Sequence, residues 1–389
     1  MRFLAAGYHP FWHELAGPWL LRAGVIGPLT SSVIRGAALP GRGGRAVIVA
    51  LQQPGAVSHR GRGFLHMLSQ RSIVVSGDLG SGKSTVSADL AARLGLRRIS
   101  VGDLYREMAQ SRGMSALQLN LHAELDDAVD GYVDELQREV ALSDDEQLVV
   151  DGRLAWFFFT RAFKVHLITD PAVAAQRVLL RPSDDVEAYS SLAEARERLG
   201  TRSESERARF LARYGVDKNR LRNYDMVCDT TRASPDQIVD RIVAAFSGTL
   251  GQDIISQSPP LLLLDPNRVL PTRVLADPGE FRAPGAAGRR ESPPPAPITV
   301  GYAGTSFYVI EGHRQLSAAL QRGLGLITAR LLAEGEERVA GGLTSLQYFE
   351  SEVDPGKIRA WEAIHHIDLP LPARLRDHAR EPAGDHAPE

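Results

Sequence analysis

Lys83 and Ser84 close a stretch, Gly77-Asp78-Leu79-Gly80-Ser81-Gly82-Lys83-Ser84, with the spacing G-x-x-x-x-G-K-[ST]. The chemistry that needs this combination is the gripping of a chain of phosphates. Glycines let successive backbone N–H groups curl around an anion, and a following helix adds the positive end of its dipole. Lys83 then reaches the outer phosphates of a nucleoside triphosphate, and Ser84 holds Mg²⁺. On this reading Gly77, Asp78, Leu79, Gly80, Ser81, Gly82, Lys83, Ser84 and Thr85 bind ATP or GTP; a bare glycine-rich turn is the alternative. Asp151-Gly152-Arg153 ends an apolar run. It offers an acid for a magnesium-bound water and a guanidinium for a second phosphate, against the alternative of a plain turn. Arg202-Ser203-Glu204-Ser205-Glu206-Arg207 alternates charge in a helical stretch and, taken alone, reads as a solvated face.

These side chains need supports. The β-branched run Ile73-Val74-Val75 enters the loop, and Val86, Leu90 and Leu94 mark one helical face until Gly95 stops the helix. From residue 70 to about 248 strands alternate with helices, as a parallel α/β sheet requires, with strands expected at 73–76, 98–101, 147–151, 164–169 and 226–229. A closing helix starts at Ser234-Pro235-Asp236 and runs through Ile238, Ile242, Val243 and Phe246. The expected organisation of the 389 residues is a phosphate-loop domain at 67–250 and a second unit at 251–372. The second unit carries a Pro/Gly/Arg-rich insertion at 277–297, and a charged tail at 373–389 reads as disordered. Residues 1–66 follow neither helical nor strand periodicity, and no acid occurs between Glu14 and Asp78. A targeting segment, a disordered arm and translation from Met67 each fit that leader. Lysine plus arginine number 45 against 47 acids, so no basic excess drives DNA binding. Cys228 is the single cysteine, which excludes an internal disulfide, and no apolar stretch is long enough for a bilayer. The expectation is a cytoplasmic protein with no membrane partner.

Ser100-Val101-Gly102-Asp103-Leu104-Tyr105-Arg106 resembles the acceptor-phosphate segment of nucleoside monophosphate kinases. With the blocks GDLGSGKSTV, SVGDLYREMAQSRGMS, DDAVD, VVDGRLAWF, SESERARFLARYGVD and YDMVCDTTRASPDQIV, the segment from Ile73 to Phe246 resembles the cytidylate kinase family, in its compact archaeal-type branch. That resemblance implies a P-loop NTPase-type α/β fold with five parallel strands flanked by helices. It implies Mg²⁺-ATP as donor and CMP or dCMP as acceptor. Lys83, Arg202 and Arg207 would act on the transferring group, the two arginines from a mobile lid; Asp103, Arg106, Asp126, Asp130, Arg153 and Arg207 would hold the acceptor nucleotide, and Ser84 and Asp151 the metal. Simpler readings are a surface arginine for Arg106 and an exposed helix face for Asp126 and Asp130. The sequence departs from the family at Asp78-Leu79, where small residues or proline are commoner, at Ser203, where an acid is usual, and at the aromatic run Trp156-Phe157-Phe158-Phe159.

Within the second unit Leu261–Leu264 reads as a strand running into a turn, and Phe307 to Leu316 as strand, Gly-His-Arg turn and helix. The block EGHRQLSAAL resembles the ParB/sulfiredoxin-like domain, which implies a smaller α+β C-terminal domain. Glu311, Gly312, His313 and Arg314 are candidates for a second anion site taking another nucleotide or a phosphometabolite, against a structural turn. Two rivals to the mononucleotide kinase stand: a nucleotide-regulated ParB-like binding protein, and a P-loop kinase for another small metabolite.

Overall fold

Five short strands surround the loop. They are β1 (Ile73–Gly77), β2 (Arg97–Ser100), β3 (Leu148–Asp151), β4 (Phe163–Ile168) and β5 (Met226–Asp229). The computed structural model describes residues 72–114, 127–142, 146–180, 189–249, 259–274 and 296–369. The leader 1–66, nearly all of the insertion, the tail 373–389 and Asp126 lie outside them.

The helices between the strands are α1 (Lys83–Leu94), α2 (Val101–Ser111), α3 (Asp127–Leu142), α4 (Ala155–Phe158), α5 (Pro171–Leu179), α6 (Leu192–Tyr214) and α7 (Pro235–Thr249). Chemistry sets their ends. Asp170 caps α5 through the amides of Ala172 and Val173, Ser191 caps α6 through Glu194, and Gly215 ends α6 in a left-handed conformation.

Further on come β6 (Leu261–Leu264), β7 (Val269–Leu270), β8 (Ile298–Ala303), β9 (Ser306–Glu311), α8 (His313–Gln321), β10 (Ile327–Glu334), α9 (Ser345–Glu352) and α10 (Pro355–His365). Among the described residues the ten strands form one sheet in the order β2-β3-β1-β4-β5-β6-β10-β8-β9-β7. The first six run parallel, with Met226 opposite Leu261 and Cys228 opposite Leu263. The direction reverses between β6 and β10, where Ile327 faces Leu264. Leu261–Leu264 therefore continues the sheet that carries the loop, and the backbone ladder crosses the boundary expected near residue 250.

Alternation along the strands divides the interior into two layers. Ile73, Val75, Met226, Cys228 and Leu263 pack with Val86 and Leu90 of α1 and Ile238 and Ile242 of α7. Val74, Val150, Val227, Leu262 and Leu264 face the other way, toward α4, α6 and the C-terminal elements, in one cluster that reaches Tyr308, Leu316, Phe349 and Trp361. The described residues fall in one compact unit by their contacts. Among the described residues no helix is long and apolar enough to cross a membrane.

Candidate functional site

The loop 78–82 leaves β1 and turns into α1 at the end of the sheet where parallel strands present ligands. Gly80 has φ +78°, and a Cβ there would stand 2.6 Å from the Ala174 carbonyl oxygen of α5. Gly82, the residue before α1, has φ +89°, and a Cβ there would meet nothing within 4 Å. The loop thus packs closely on one side and is open on the other. Inside it Ser81 Oγ donates to the Asp78 carbonyl at 2.7 Å, and Lys83 Nζ donates to the same oxygen at 2.8 Å. Ser84 and Thr85 are exposed in the first turn of α1.

Support comes from residues the sequence did not point to. Arg177 of α5 donates to the Gly80 carbonyl at 3.2 Å and the Thr230 carbonyl at 2.6 Å, while Thr230 Oγ1 donates to the Ser81 carbonyl at 2.9 Å. These partners are 97 and 149 residues from the loop, so no local pattern announces them.

The pairing of Val75 with Asp151 puts the end of β3 beside the end of β1. Asp151 is buried, and its Oδ2 accepts from Arg98 at 2.9 Å and Ser87 at 3.5 Å. From the next turn Arg153 forms an ion pair with Glu206 of α6. Arg202 reaches the same carboxylate at 3.3 Å, and Lys218 stands 3.6 Å from its other oxygen. Ser203 donates to Asp78 Oδ2 at 2.7 Å, and Lys218 pairs with Asp78 Oδ1 at 2.6 Å. One face of α6 is therefore laid on the phosphate loop. Arg207 belongs to a different cluster: Asp217 accepts from it at 2.8–3.0 Å and Glu204 at 3.0 Å. Asp103 pairs with Arg106 and lies 3.6 Å from Arg98. Asp130 lies in α3.

Glu206 was not singled out by the sequence reading, and its i, i+4 spacing from Arg202 is the signal that could have found it. Lys218 and His166 gave no such signal. His166, on β4, stacks on Tyr224 with ring centroids 4.3 Å apart, and its Nδ1 is buried without a hydrogen-bond partner among the described residues. Burial pushes it down to about 4, so the ring is neutral. The aromatic run is packing: Trp156 contacts Tyr224 at 5.5 Å and Phe157 contacts Tyr214 at 5.5 Å.

Burial drives the Lys83 amine down to about 7, the Arg153 charge adds to that, and Asp151 and Asp78 oppose it. Burial would raise Asp78, but Lys218 and the Ser203 hydroxyl outweigh it and hold the carboxyl at about 2. A pH effect follows. A bound phosphate favours the ammonium and raises the Lys83 pKa, so above pH 7 binding takes up protons and affinity falls as pH rises. Below pH 7 the lysine is already charged and its contribution is flat. Titration calorimetry with ADP at pH 8, in buffers of different ionisation heat, should read net proton uptake that Lys83→Met removes.

At the second candidate site Gly312 has φ +101° and precedes α8. His313 is buried, with Nε2 3.0 Å from Thr272 Oγ1 and accepting from the Thr272 amide at 3.2 Å. Burial, helped by Arg273, pushes it down to about 4. The imidazole fastens residue 272 to the start of α8. Glu311 and Arg314 are exposed on either side of it.

The segment that carries this site is similar to known proteins. The AAA domain profile matches residues 73–209. The cytidylate kinase of Natronomonas pharaonis is 36% identical over 189 residues, which cover 48% of this chain and 95% of that enzyme. The cytidylate kinase of Methanobrevibacter smithii is 34% identical over 174 residues, covering 45% of this chain and 97% of the relative. That of Pyrococcus abyssi is 35% identical over 175 residues, covering 45% and 92%. A nearly complete P-loop kinase is thus matched by just under half of this chain.

Proposed function

We propose, from the premise that this chain belongs to the cytidylate kinase family, that it transfers the terminal phosphoryl group of ATP to a pyrimidine nucleoside monophosphate, CMP or dCMP. The observation that carries the reading is the grouping of cations: Lys83 on the loop, with Arg153, Arg202 and Lys218 gathered on Glu206 beside it.

The reaction asks for alignment of two mutually repelling phosphates more than for proton transfer. An acceptor phosphate monoester loses its second proton near pH 6, so its oxygen is anionic near neutrality and needs no base. That oxygen attacks the γ-phosphorus, the bond from phosphorus to the β–γ bridging oxygen breaks, and ADP leaves with the electron pair. Backbone amides of 80–84 and the Lys83 ammonium hold the donor. Arg153 and Arg202, oriented by the Glu206 carboxylate, screen charge between donor and acceptor. Arg106, at the other end of the Asp103 pair, would exchange that carboxylate for an acceptor phosphate. Docking of α6 on the loop keeps water, a competing acceptor, away.

The donor set fits Mg²⁺ carried by the triphosphate. Ser84 offers an exposed hydroxyl in the first turn of α1, and both Asp151 contacts fall on Oδ2. This ion takes one or two protein oxygens, with waters and phosphate oxygens completing its shell. When bound it neutralises charge on the β- and γ-phosphates.

The test is ADP release by the full chain over a panel of mononucleotides. CMP and dCMP should stimulate it most, and a failure of every mononucleotide to stimulate it rejects the reading.

A further inference from the structure

Asp78 poses an electrostatic problem, because it puts a carboxylate into a loop built for anions. The structure answers it with two groups 125 and 140 residues along the chain from Asp78. Lys218 Nζ lies 2.6 Å from Asp78 Oδ1 and donates to Ser203 Oγ at 2.9 Å, while Ser203 donates to Asp78 Oδ2 at 2.7 Å. The Lys218 side chain is only 4% exposed, so its charge acts at short range in a poorly screened place.

The turn that carries Lys218 is fastened from the second half of the chain. Glu334, buried on β10, accepts from the Leu221 amide at 2.7 Å and the Arg222 amide at 3.2 Å. Glu337 accepts from Arg222 Nε at 2.6 Å, and Tyr224 Oη donates to the Lys218 carbonyl at 2.7 Å. The carboxylates of β10 and the turn after it thus fix the backbone from which the lysine extends.

We propose that Lys218 is a positioning residue of the donor site. It cancels the charge Asp78 brings to the phosphate loop and, with Ser203, ties α6 to that loop, from a turn held by Glu334. The second half of the chain thereby sets the charge seen by the donor nucleotide. This rests on the donor reading of the loop and adds residues that the motif does not contain. A salt bridge that only braced the fold would couple to stability; this one couples to anion affinity, and the sign of the effect depends on which partner is removed.

The test is a charge cycle in the full chain, read by titration calorimetry with Mg-ADP. Asp78→Asn leaves Lys218 with the Glu206 carboxylate, 3.6 Å away and shared with Arg153 and Arg202. Net positive charge therefore rises beside the phosphates, and binding should tighten about threefold or more. Lys218→Met leaves the carboxylate unpaired and should weaken binding about tenfold or more. The double variant should return to within about threefold of the parent, and Lys218→Arg should stay near it. Unchanged or weaker binding by Asp78→Asn overturns the proposal, even if Lys218→Met proves too unstable to titrate. A double variant no better than Lys218→Met overturns it as well. If the parent chain itself binds no Mg-ADP, the donor reading fails, an outcome distinct from a parent that binds while the cycle shows no coupling.

Discussion

Replacing Lys83 by methionine is expected to lower kcat/KM for phosphoryl transfer by about 10²–10³-fold or more, the usual cost of removing one preorganised stabiliser of transition-state charge. The argument is local. Lys83 is the first residue of α1, and its ammonium lies over the loop, hydrogen-bonded to the Asp78 carbonyl. Its charged surroundings are Arg153, Asp151, Asp78 and Lys218, so on the proposed reading the donor phosphates would meet Lys83 together with two further cations. The helix is anchored elsewhere, through buried Val86, Leu90 and Ala91, so the substitution should leave the fold intact. Thermal melting should therefore move little while turnover collapses. Loss of turnover with unchanged Mg-ADP affinity would place the lysine on the transferring group; parallel loss of both would place it on the bound phosphates as well. A variant retaining a tenth of the parental rate would contradict the role given to this residue.

Trp361→Ala should destabilise the protein by about 3–5 kcal/mol, the range for emptying a large aromatic site in a packed interior. Trp361 of α10 is fully buried and belongs to the same apolar cluster as Val74 and Val150 beside the phosphate loop. The informative part is which transition moves. A continuous sheet and a shared interior predict that Trp361→Ala lowers the same melting transition that Mg-ADP raises. If nucleotide stabilises one transition and Trp361→Ala shifts another, the two halves unfold independently and the shared cluster contributes little coupling.

The loop and the five strands around it were legible because their signals are local: a β-branched run, glycines at fixed spacing, an apolar helix face and a stop at Gly95. Leu261–Leu264 was legible as a strand and not as a neighbour of β5. Four consecutive leucines suit a parallel strand covered on both faces, and nothing within the run names its partner. For the site, residue types were readable and pairings were not. Asp78 and Ser203 each stood out as unusual, yet that they touch depends on 125 residues of intervening chain. Arg207 is a case where the charged helix alone reads as a solvated face and only the family resemblance points to the transferring group; its partner Asp217, ten residues along, was not readable. For the Gly-His-Arg turn the sequence left an anion site and a structural turn open, and the contact of the His313 ring with Thr272, 41 residues away, was not readable.

The ten-stranded sheet has a consequence for how the molecule behaves among copies of itself. A sheet stopping at β5 would display a row of unsatisfied backbone donors and acceptors along a buried-type apolar strand, a template for edge-to-edge aggregation. Here β6 takes that row. The strands left at the margins are poor templates: β7 is two residues long, and β2 begins with the charged pair Arg97-Arg98. The appended half thus doubles as a guard against unwanted strand addition, a service that persists whatever nucleotide the site accepts.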